Sequence, residues 1–541
     1  EGPRRGSSQR QVAITEDITS RDPEPSPISR MPDEEESGEG NQKCFTTVSR
    51  RKALMMGLAV AVAVAILITV LVLNLPSSEH ADSDLGNNMH ESCSDYGRIP
   101  DMWNQCQPND FGEPTIVNIP SCQKEQYAAL TSALAEYLPE GGLAIDSCDP
   151  TNMALLSMAE TMPNIDSHAE FSTNALVERF SVICLYFATK GNRWAGSSQW
   201  LSEDSHCAWF GVTCDADQII EIVLDLDLNK LGGTIPSELA ILTQLKILKM
   251  GGGDIEGAIP VEVYRKLTNL ELLALNGNRL EMEIASEIGG LRSLTHVDIS
   301  YNNLGETTLP SELGLLSDLE FIQCFFCQLA GTLPTEIGKC TNLEIVSFAS
   351  NFIGGTIPTE IGQLNTSLRH LNLNTNNLEA GPIPSVLFRL TQLTTLSLFS
   401  NSFRGPAFPS EMLSNLTNLE NLDLGRMSLT GTIPTTELSV WAPSLITLYL
   451  SVNSISGTIP TEVGALTRLE TLGLDQNNIS GSLPSELGLL SSLQRLYLWE
   501  GNRLLSRRDV PPELERLLRE NAVCKFESDC DSGADYEARH F

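Results

Sequence analysis

A repeat of 24 to 26 residues constrains the fold of this chain more than any other feature of its sequence. The unit reads LxxLxLxxNxLxGxIPxxLGxL and returns about twelve times between residues 221 and 504, with clear copies that begin at Leu343, Leu445 and Leu469. In each unit the LxL segment predicts a short strand whose two apolar side chains point inward while the residues beside them point outward. Stacked strands of this kind predict a parallel sheet that lines the concave face of a solenoid.

Asparagine recurs at the turn after each predicted strand. A buried Asn side chain can hydrogen-bond backbone groups that would otherwise be unpaired, so the pattern predicts a ladder along the stack. Because Gly253 and Met427 lack the amide, and the spacing stretches to 26 residues on both sides of Met427, we expect a bend or loop near residues 405–445. Nine of the twelve ladder positions are Asn, and the full set is Asn229, Gly253, Asn278, Asn302, Cys327, Asn351, Asn376, Asn401, Met427, Asn453, Asn477 and Asn502.

A helix and a tryptophan-containing segment precede the repeats. Residues Phe171 to Lys190 place four apolar side chains on one helical face, and Gly191 ends the helix. Those four side chains are Leu176, Phe180, Ile183 and Phe187. Trp194, Trp200 and the segment HCAWFGVTC from His206 follow. Because each repeat buries its apolar face only against a neighbour, we expect this region to cover the first repeat.

The LxGxIP segments, such as LGGTIP, IGGTIP and ISGSLP, and the CxWxGVxC element of the cap resemble the ectodomain of plant-type leucine-rich-repeat receptor-like proteins. The resemblance covers residues 171–504. It implies an α/β solenoid, a leucine-rich-repeat right-handed superhelix with a concave parallel β-sheet, a second short strand and a helical amino-terminal cap. No VAIK-like lysine, HRD or DFG segment of a kinase is present, so the resemblance is to the ectodomain alone.

The cysteines indicate an oxidising compartment. We expect Cys207 to pair with Cys214 in the cap that the resemblance implies, and Cys524 to pair with Cys530 at the opposite end. Further bridges are open, because the sequence does not reveal the connectivity of Cys93, Cys106, Cys122 and Cys148.

Cys324 and Cys327 form a CxxC motif, which suggests metal or redox chemistry when it stands alone. The repeat register favours a structural role instead. It places Cys324 at a core leucine position and Cys327 at a ladder position.

One segment is apolar enough to cross a membrane. Residues Ala53 to Leu75 carry no charge and reach roughly 35 Å as a helix, which suffices for a bilayer core. A cleaved signal peptide is the alternative, but its apolar region would be shorter and closer to the amino terminus. Arg50, Arg51 and Lys52 precede the span, and acidic residues follow it, so the positive-inside rule predicts a cytoplasmic amino-terminal tail.

The predicted tail is rich in Ser, Pro and acidic residues, a composition that cannot form a packed core, and we expect it to be disordered. Cys44 lies close to the span and is a candidate for S-palmitoylation, although an unmodified thiol is equally consistent with its position. Three N-x-[ST] sequons lie in the part that this topology places outside, and their acceptors are Asn365, Asn415 and Asn478.

Charge and motifs exclude several functions. A net charge of -34 repels phosphate backbones and argues against nucleic-acid binding. The sequence contains no HExxH, GxSxG or GxxxxGK[ST] motif and no paired Cys/His metal spacing. We therefore expect no catalytic activity, no cofactor and no bound metal.

Outward-facing strand positions are the candidate ligand site. Most of them are small or polar, and large aromatic side chains interrupt them in two clusters, which makes the rings candidate binding anchors. The alternative is that these rings fold over neighbouring apolar rims or cover the end of the solenoid. The candidates are Tyr301, Phe321, Phe325, Phe326, Phe399, Tyr449, Tyr497 and Trp499.

We therefore predict a single-pass type II protein of the plasma membrane whose extracellular solenoid binds a protein, peptide or glycan ligand and signals, if at all, through a co-receptor. A structural adhesion protein and an enzyme-inhibitor solenoid are the alternatives. The predicted organisation is a cytoplasmic tail at 1–52, a signal-anchor helix at 53–75, a polar linker at 76–92, a Cys-containing region at 93–170, the amino-terminal cap at 171–220, the repeats at 221–504, and a carboxyl-terminal cap and tail at 505–541.

Overall fold

A computed structural model describes residues 105–106, 115–117, 119–139, 143–161, 173–197, 199–216, 218–224, 230–281, 283–435, 437–506 and 510–520. The predicted membrane span Ala53–Leu75, the tail and linker around it with Cys44, and the predicted Cys524–Cys530 pair lie outside these residues. Within the described residues, no helix combines the length and apolar character that a bilayer crossing requires.

The main sheet has thirteen strands and runs through all the described repeats. Strand β1 (Val212–Asp215) pairs with β2 (Gln218–Val223) in antiparallel fashion. Every later strand pairs with its predecessor in parallel and in register, so that Val346 lies opposite Ile322 on one side and Leu371 on the other. The predicted parallel sheet is confirmed. Its strands are β1 Val212–Asp215, β2 Gln218–Val223, β4 Ile247–Lys249, β6 Leu272–Ala274, β8 His296–Asp298, β9 Phe321–Gln323, β10 Ile345–Ser347, β11 His370–Asn372, β12 Thr395–Ser397, β14 Asn421–Asp423, β16 Thr447–Tyr449, β18 Thr471–Gly473 and β20 Arg495–Tyr497.

Short second strands follow the ladder positions in several repeats. They form three small parallel sheets, which contain β3 Gly232–Gly233, β5 Asp254–Gly257 and β7 Arg279–Leu280; β13 Arg404–Pro406 and β15 Ser428–Thr430; and β17 Ser456–Gly457, β19 Asn478–Gly481 and β21 Leu504–Leu505. The glycine of the repeat motif is needed here. Gly331 has a φ of 72°, and a Cβ at this residue would lie 2.6 Å from Thr308 Cγ2 of the preceding repeat.

The return segments of the repeats are short helical turns, most of which begin after the proline of the repeat motif and end before a leucine. Two of them are α-helical, at Val261–Lys266 and Ser410–Asn415. The others are 3₁₀ turns at Ser237–Ile241, Ser286–Gly290, Ser311–Leu315, Thr335–Lys339, Thr359–Leu364, Ser385–Arg389, Glu437–Val440, Thr461–Ala465 and Ser485–Leu489.

The asparagine ladder holds successive repeats together. Asn376 Nδ2 donates to the carbonyl oxygens of Phe348 at 2.9 Å and Leu373 at 3.1 Å, and its Oδ1 accepts from the Ile353 N–H at 3.0 Å. Asn278, Asn302, Asn351, Asn401, Asn453, Asn477 and Asn502 make equivalent bonds. One side chain thus satisfies backbone groups of two repeats, as the sequence predicts. Asn229 lies outside the described residues.

Cys324 and Cys327 are joined by a disulfide, which the sequence analysis did not foresee. Both are buried at the core and ladder positions that the repeat register predicts. The bond therefore lies inside the solenoid, where it ties the end of β9 to the following turn at a ladder position without an amide. The Leu304 N–H, which would otherwise bond a ladder Asn, donates to the Cys327 carbonyl at 3.2 Å instead.

Three helices form the cap before the first repeat, namely α1 Ser121–Ala133, α2 Pro150–Thr161 and α3 Thr173–Ala188. α2 packs against α1 and α3, α3 packs on the 3₁₀ turn of the first repeat, and the Thr151 hydroxyl donates to Glu238 Oε1 of that turn at 2.7 Å. The sequence analysis assigned only the third helix to the cap. The structure extends the cap into the Cys-containing region, because the side chains of α2 are buried from Thr151 to Ala159 between the other two helices.

Tryptophans and disulfides consolidate this cap. Trp200 lies between Trp194 and Trp209, with ring centroids at 4.9 and 5.3 Å, and its indole N–H donates to the Phe210 carbonyl at 3.0 Å. Disulfides join Cys207 to Cys214 and Cys106 to Cys148. Cys93 and the side chain of Cys122 lie outside the described part of the chain.

A helix closes the opposite end. The two α-helical return segments, Val261–Lys266 and Ser410–Asn415, are α4 and α5. The carboxyl-terminal helix α6 spans Pro512–Glu520 and packs on the 3₁₀ turn of the last repeat. Leu514, Leu517 and Leu518 are buried against that turn. Both ends of the apolar core are therefore covered, as a solenoid requires.

Replacing Asn376 with alanine tests the ladder. The change leaves buried carbonyl oxygens and one N–H without partners, so the free energy of unfolding should fall by about 2–4 kcal/mol. The control is Asn377→Ala, because Asn377 is the next residue in the chain and is exposed. Chemical denaturation of both variants of the full chain is the measurement. Equal stabilities for the two variants would contradict a structural role of the ladder.

Candidate functional site

The concave face presents one central outward-facing residue per strand. The strand register aligns these residues in a central column that consists of Val223, Lys249, Ala274, Asp298, Gln323, Ser347, Asn372, Ser397, Asp423, Tyr449, Gly473 and Tyr497. At about 4.8 Å between neighbouring strands, the column is about 50 Å long. Its length matches an extended ligand better than a small molecule.

Three predicted candidates form an exposed aromatic patch, which consists of Tyr301, Phe325 and Phe326. The rings of Tyr301 and Phe326 stack, with centroids 5.3 Å apart and planes 16° apart. They are 46% and 44% exposed, while Phe325 is half-buried and its ring lies 6.4 Å from that of Tyr301. The patch is thus a partly exposed, stacked aromatic surface on this face.

The backbone holds these two rings in place. Tyr301 and Phe326 each directly precede a ladder position and have φ values of 55° and 49°, in the left-handed region that bulky residues rarely adopt. Their N–H groups donate to the next repeat, at Phe325 O (2.7 Å) and Ala349 O (3.2 Å). We call the residues that directly precede each ladder position the flank column. The same conformation recurs along it, so the solenoid fixes the backbone from which the two rings project.

Phe321 does not belong to the exposed patch. Its ring is only 8% exposed and stacks on His296, with centroids 5.6 Å apart. Burial in this contact lowers the pKa of His296. Phe321 therefore packs between neighbouring strands and presents little surface to a ligand.

The second predicted cluster is largely packed. Phe399 and Tyr449 are buried, with centroids 6.2 Å apart. Glycines on the neighbouring strands explain this burial, since a Cβ at Gly473 would lie 2.4 Å from the Tyr449 ring, and one at Gly425 would lie 2.8 Å from it. The two rings fill the hollow that these glycines leave, which agrees with the alternative that the rings cover apolar rims.

Tyr497 and Trp499 lie near the carboxyl-terminal end of the same face, and both are half-buried. Trp499 packs against the apolar core. The two rings are thus intermediate between the exposed patch and the buried pair, and they remain secondary candidates for ligand contact.

Buried polar groups on the concave face are a feature that the sequence analysis missed. Asp423 Oδ1 accepts from the Gly425 N–H at 3.1 Å, but Oδ2 is buried without a hydrogen-bond partner. Desolvation raises the pKa of Asp423 to about 7. Burial also raises the pKa of Asp475, which accepts a hydrogen bond from Ser451. The central-column position of Asp423 was readable from the repeat, but its burial depends on the packing of the neighbouring rings.

The described residues offer one grouping with metal-ligand spacing, His206 with Cys207 and Cys214. The disulfide between the two cysteines removes their thiolates as ligands. This grouping therefore belongs to the structure of the cap.

The three sequon asparagines, Asn365, Asn415 and Asn478, are all exposed. Their side chains are accessible to a glycosylating enzyme in a lumenal compartment.

Replacing Asp423 with asparagine should change how stability depends on pH. A folded-state pKa of about 7 lies above the unfolded value of about 3.9, so the native protein holds a proton that the unfolded chain releases. This contribution is fully present below about pH 4 and is lost as the pH rises to about 7. Asp423→Asn should therefore match the wild type near pH 4 and exceed its free energy of unfolding by about 4 kcal/mol at pH 8, since the two pKa values differ by about three units. Denaturation curves at both pH values measure this difference, and a constant difference would contradict it.

Comparisons with known proteins agree with this architecture. A family model described as Leucine Rich Repeat matches residues 293–316, 444–466 and 468–490. Among curated proteins of Arabidopsis thaliana, the chain is 30% identical to "Probable LRR receptor-like serine/threonine-protein kinase RPK1" in an alignment over 123 residues, and the match covers 18% of this chain and 21% of that protein. It is 30% identical to "Phytosulfokine receptor 1" over 100 residues, which are 18% of this chain and 10% of that protein.

A solved structure described as "Crystal structure of PEPR1-AtPEP1" is similar in fold. The TM-score is 0.53 at 30% sequence identity, and the match covers 62% of this chain and 46% of the other. The chain thus matches less than a quarter of the length of the two curated relatives and about half of the solved structure. The chain contains leucine-rich repeats and is related through them to plant leucine-rich-repeat receptor-like proteins.

Proposed function

We propose that this chain is a ligand-binding, receptor-like protein that holds an extended peptide or a segment of a protein along its concave face, with the aromatic patch as the anchor. The observation that carries this proposal is the stacked pair Tyr301 and Phe326, nearly half exposed on an otherwise small and polar surface. Exposed aromatic rings are the side chains most often found at the energetic centres of binding surfaces.

Rigidity adds to the value of these rings as anchors. A ligand that binds side chains already fixed in position avoids the entropic cost of ordering them, which is about 0.5–1.5 kcal/mol for each flexible side chain. The hydrogen bonds from Tyr301 N–H and Phe326 N–H to the next repeat fix the backbone, and the stack of the two rings, with centroids 5.3 Å apart, restricts their side chains before binding. The patch is therefore preorganised.

The related proteins support a receptor-like role. The two curated relatives are named as receptors or receptor-like proteins, and the solved structure with the similar fold contains PEPR1 with AtPEP1. The described residues also carry a disulfide-linked cap, which suits an oxidising, extracellular setting. We propose that the protein does no chemistry itself and that any signal passes through a co-receptor.

The proposed topology is a single-pass type II protein with the solenoid outside the plasma membrane. It is based on the apolar stretch Ala53–Leu75 and the basic residues before it.

Because Asn365, Asn415 and Asn478 are exposed, this topology predicts glycosylation of the full chain in cells. Glycosidase treatment should increase its gel mobility, and replacing the three asparagines with glutamine should abolish that increase. An unchanged mobility of the wild type would contradict the topology.

Removing the exposed rings tests the ligand site. The full chain is used to select binders from a random library of displayed peptides, and the affinity of the selected peptides is then measured for Tyr301→Ser/Phe326→Ser. Loss of two anchors should weaken binding at least about tenfold, because central aromatic side chains contribute about 2 kcal/mol or more each. The free energy of unfolding should change by no more than about 0.5 kcal/mol, since both rings are on the surface.

The matched control is Leu315→Ser/Leu489→Ser. These two leucines are also exposed, but they lie in the 3₁₀ turns of the return segments and not in the concave strands. The control should bind the selected peptides like the wild type. Equal losses in the two double variants, or selection of no peptide at all, would contradict the proposed function.

A further inference from the structure

A cavity outside the aromatic patch opens to the surface where the ladder is broken. This depression has a volume of about 620 Å³ and spans three successive repeats. Its lining includes two arginines, Arg404 and Arg426, the apolar side chains of Met427 and Val452, and the hydroxyls of Ser402 and Ser428. Cations, hydroxyl groups and apolar walls are thus present in one depression.

Met427 lines the cavity and occupies a ladder position without an amide. In the neighbouring repeats, ladder oxygens of Asn401 and Asn453 accept from the N–H groups of Leu378 and Leu429. The equivalent donor between them is Phe403 N–H, and Met427 offers it no amide oxygen. The cavity thus lies in the stretch where the spacing is 26 residues on both sides of Met427 and where the sequence analysis predicts a bend or loop.

The two arginines are cations on a chain with a net charge of -34. Both residues are exposed, and within the described residues neither forms an ion pair with a carboxylate. Arg292 also forms no ion pair among these residues, so what distinguishes Arg404 and Arg426 is that both line one depression. The Arg426 guanidinium lies 5.7 Å from the centroid of the Phe399 ring, a cation–π contact that favours one position of this side chain. Two guanidinium groups therefore retain hydrogen-bond donors for a ligand.

We propose that this cavity is a second binding site, which takes an oxyanion group carried on an apolar stem. Guanidinium groups match the geometry of carboxylate and phosphate oxygens, and charge-assisted hydrogen bonds of this kind are about twice as strong as neutral ones. Met427 and Val452 provide apolar surface for the stem. Because the rest of the chain is strongly acidic, polyanions are repelled, and the site selects an isolated anionic group.

Small aryl probes test this proposal on the full chain. Binding of phenyl phosphate, benzoate, inorganic phosphate and phenol is measured by isothermal titration calorimetry. Phenyl phosphate or benzoate should saturate one site, and the tighter of the two identifies a tetrahedral or a planar oxyanion. Phenol lacks the charge and inorganic phosphate lacks the stem, so each should bind at least about fivefold more weakly.

The decisive variant is Arg404→Gln/Arg426→Gln, which should weaken binding of the preferred probe at least about tenfold. Its control is Arg279→Gln/Arg292→Gln, which removes the same charge from two exposed arginines outside the cavity and should bind like the wild type. Denaturation curves establish that both variants are folded. Equal affinities for the two variants, saturable binding of phenol, or no saturable binding of either aryl anion would overturn the proposal.

Discussion

A buried asparagine amide at the turn of most repeats is the interaction on which the solenoid depends. The strands are only about three residues long, and the second strands are shorter still, so the sheets alone leave many backbone groups at each turn unpaired. The amide of Asn376 contacts the backbone of two repeats at once and replaces those missing partners. A buried group without a partner costs about 1–3 kcal/mol, and this cost recurs at every turn of the stack. The ladder therefore fixes the register in which the apolar LxL side chains reach the core.

The ladder also determines what the concave face presents. The residue before each ladder position adopts a left-handed conformation and donates its N–H to the next repeat, so its side chain is held at the edge of the sheet. Where that residue is Tyr301 or Phe326, a stacked aromatic surface results, and where it is Arg426 beside the broken position Met427, a cationic cavity results. The two proposed sites are thus different consequences of the same backbone constraint.

The sequence predicted the features that depend on the phase of the repeat. The parallel sheet, its inward-facing leucines, the ladder and the buried positions of Cys324 and Cys327 all follow from that phase. Features that depend on the neighbouring strands were not predictable in this way. Tyr449 looks exposed in its own repeat, and it is buried because Gly425 and Gly473 on the adjacent strands leave a hollow for its ring. Asp423 is also buried, between the register partners Ser397 and Tyr449 on the adjacent strands, and the Cys324–Cys327 disulfide depends on side-chain geometry that spacing does not encode.

Hydrogen exchange of the full chain tests the central role of the ladder most directly. The N–H groups of Leu378 and Leu429 donate hydrogen bonds to the side-chain oxygens of Asn401 and Asn453. Phe403 is buried too, but its equivalent N–H faces the ladder position of Met427, which has no amide oxygen. Amide exchange should therefore be markedly slower at Leu378 and Leu429 than at Phe403, and Met427→Asn should slow exchange at Phe403 alone among the three. Equal protection of the three amides in the wild type would contradict the account that ladder side chains hold the repeats together.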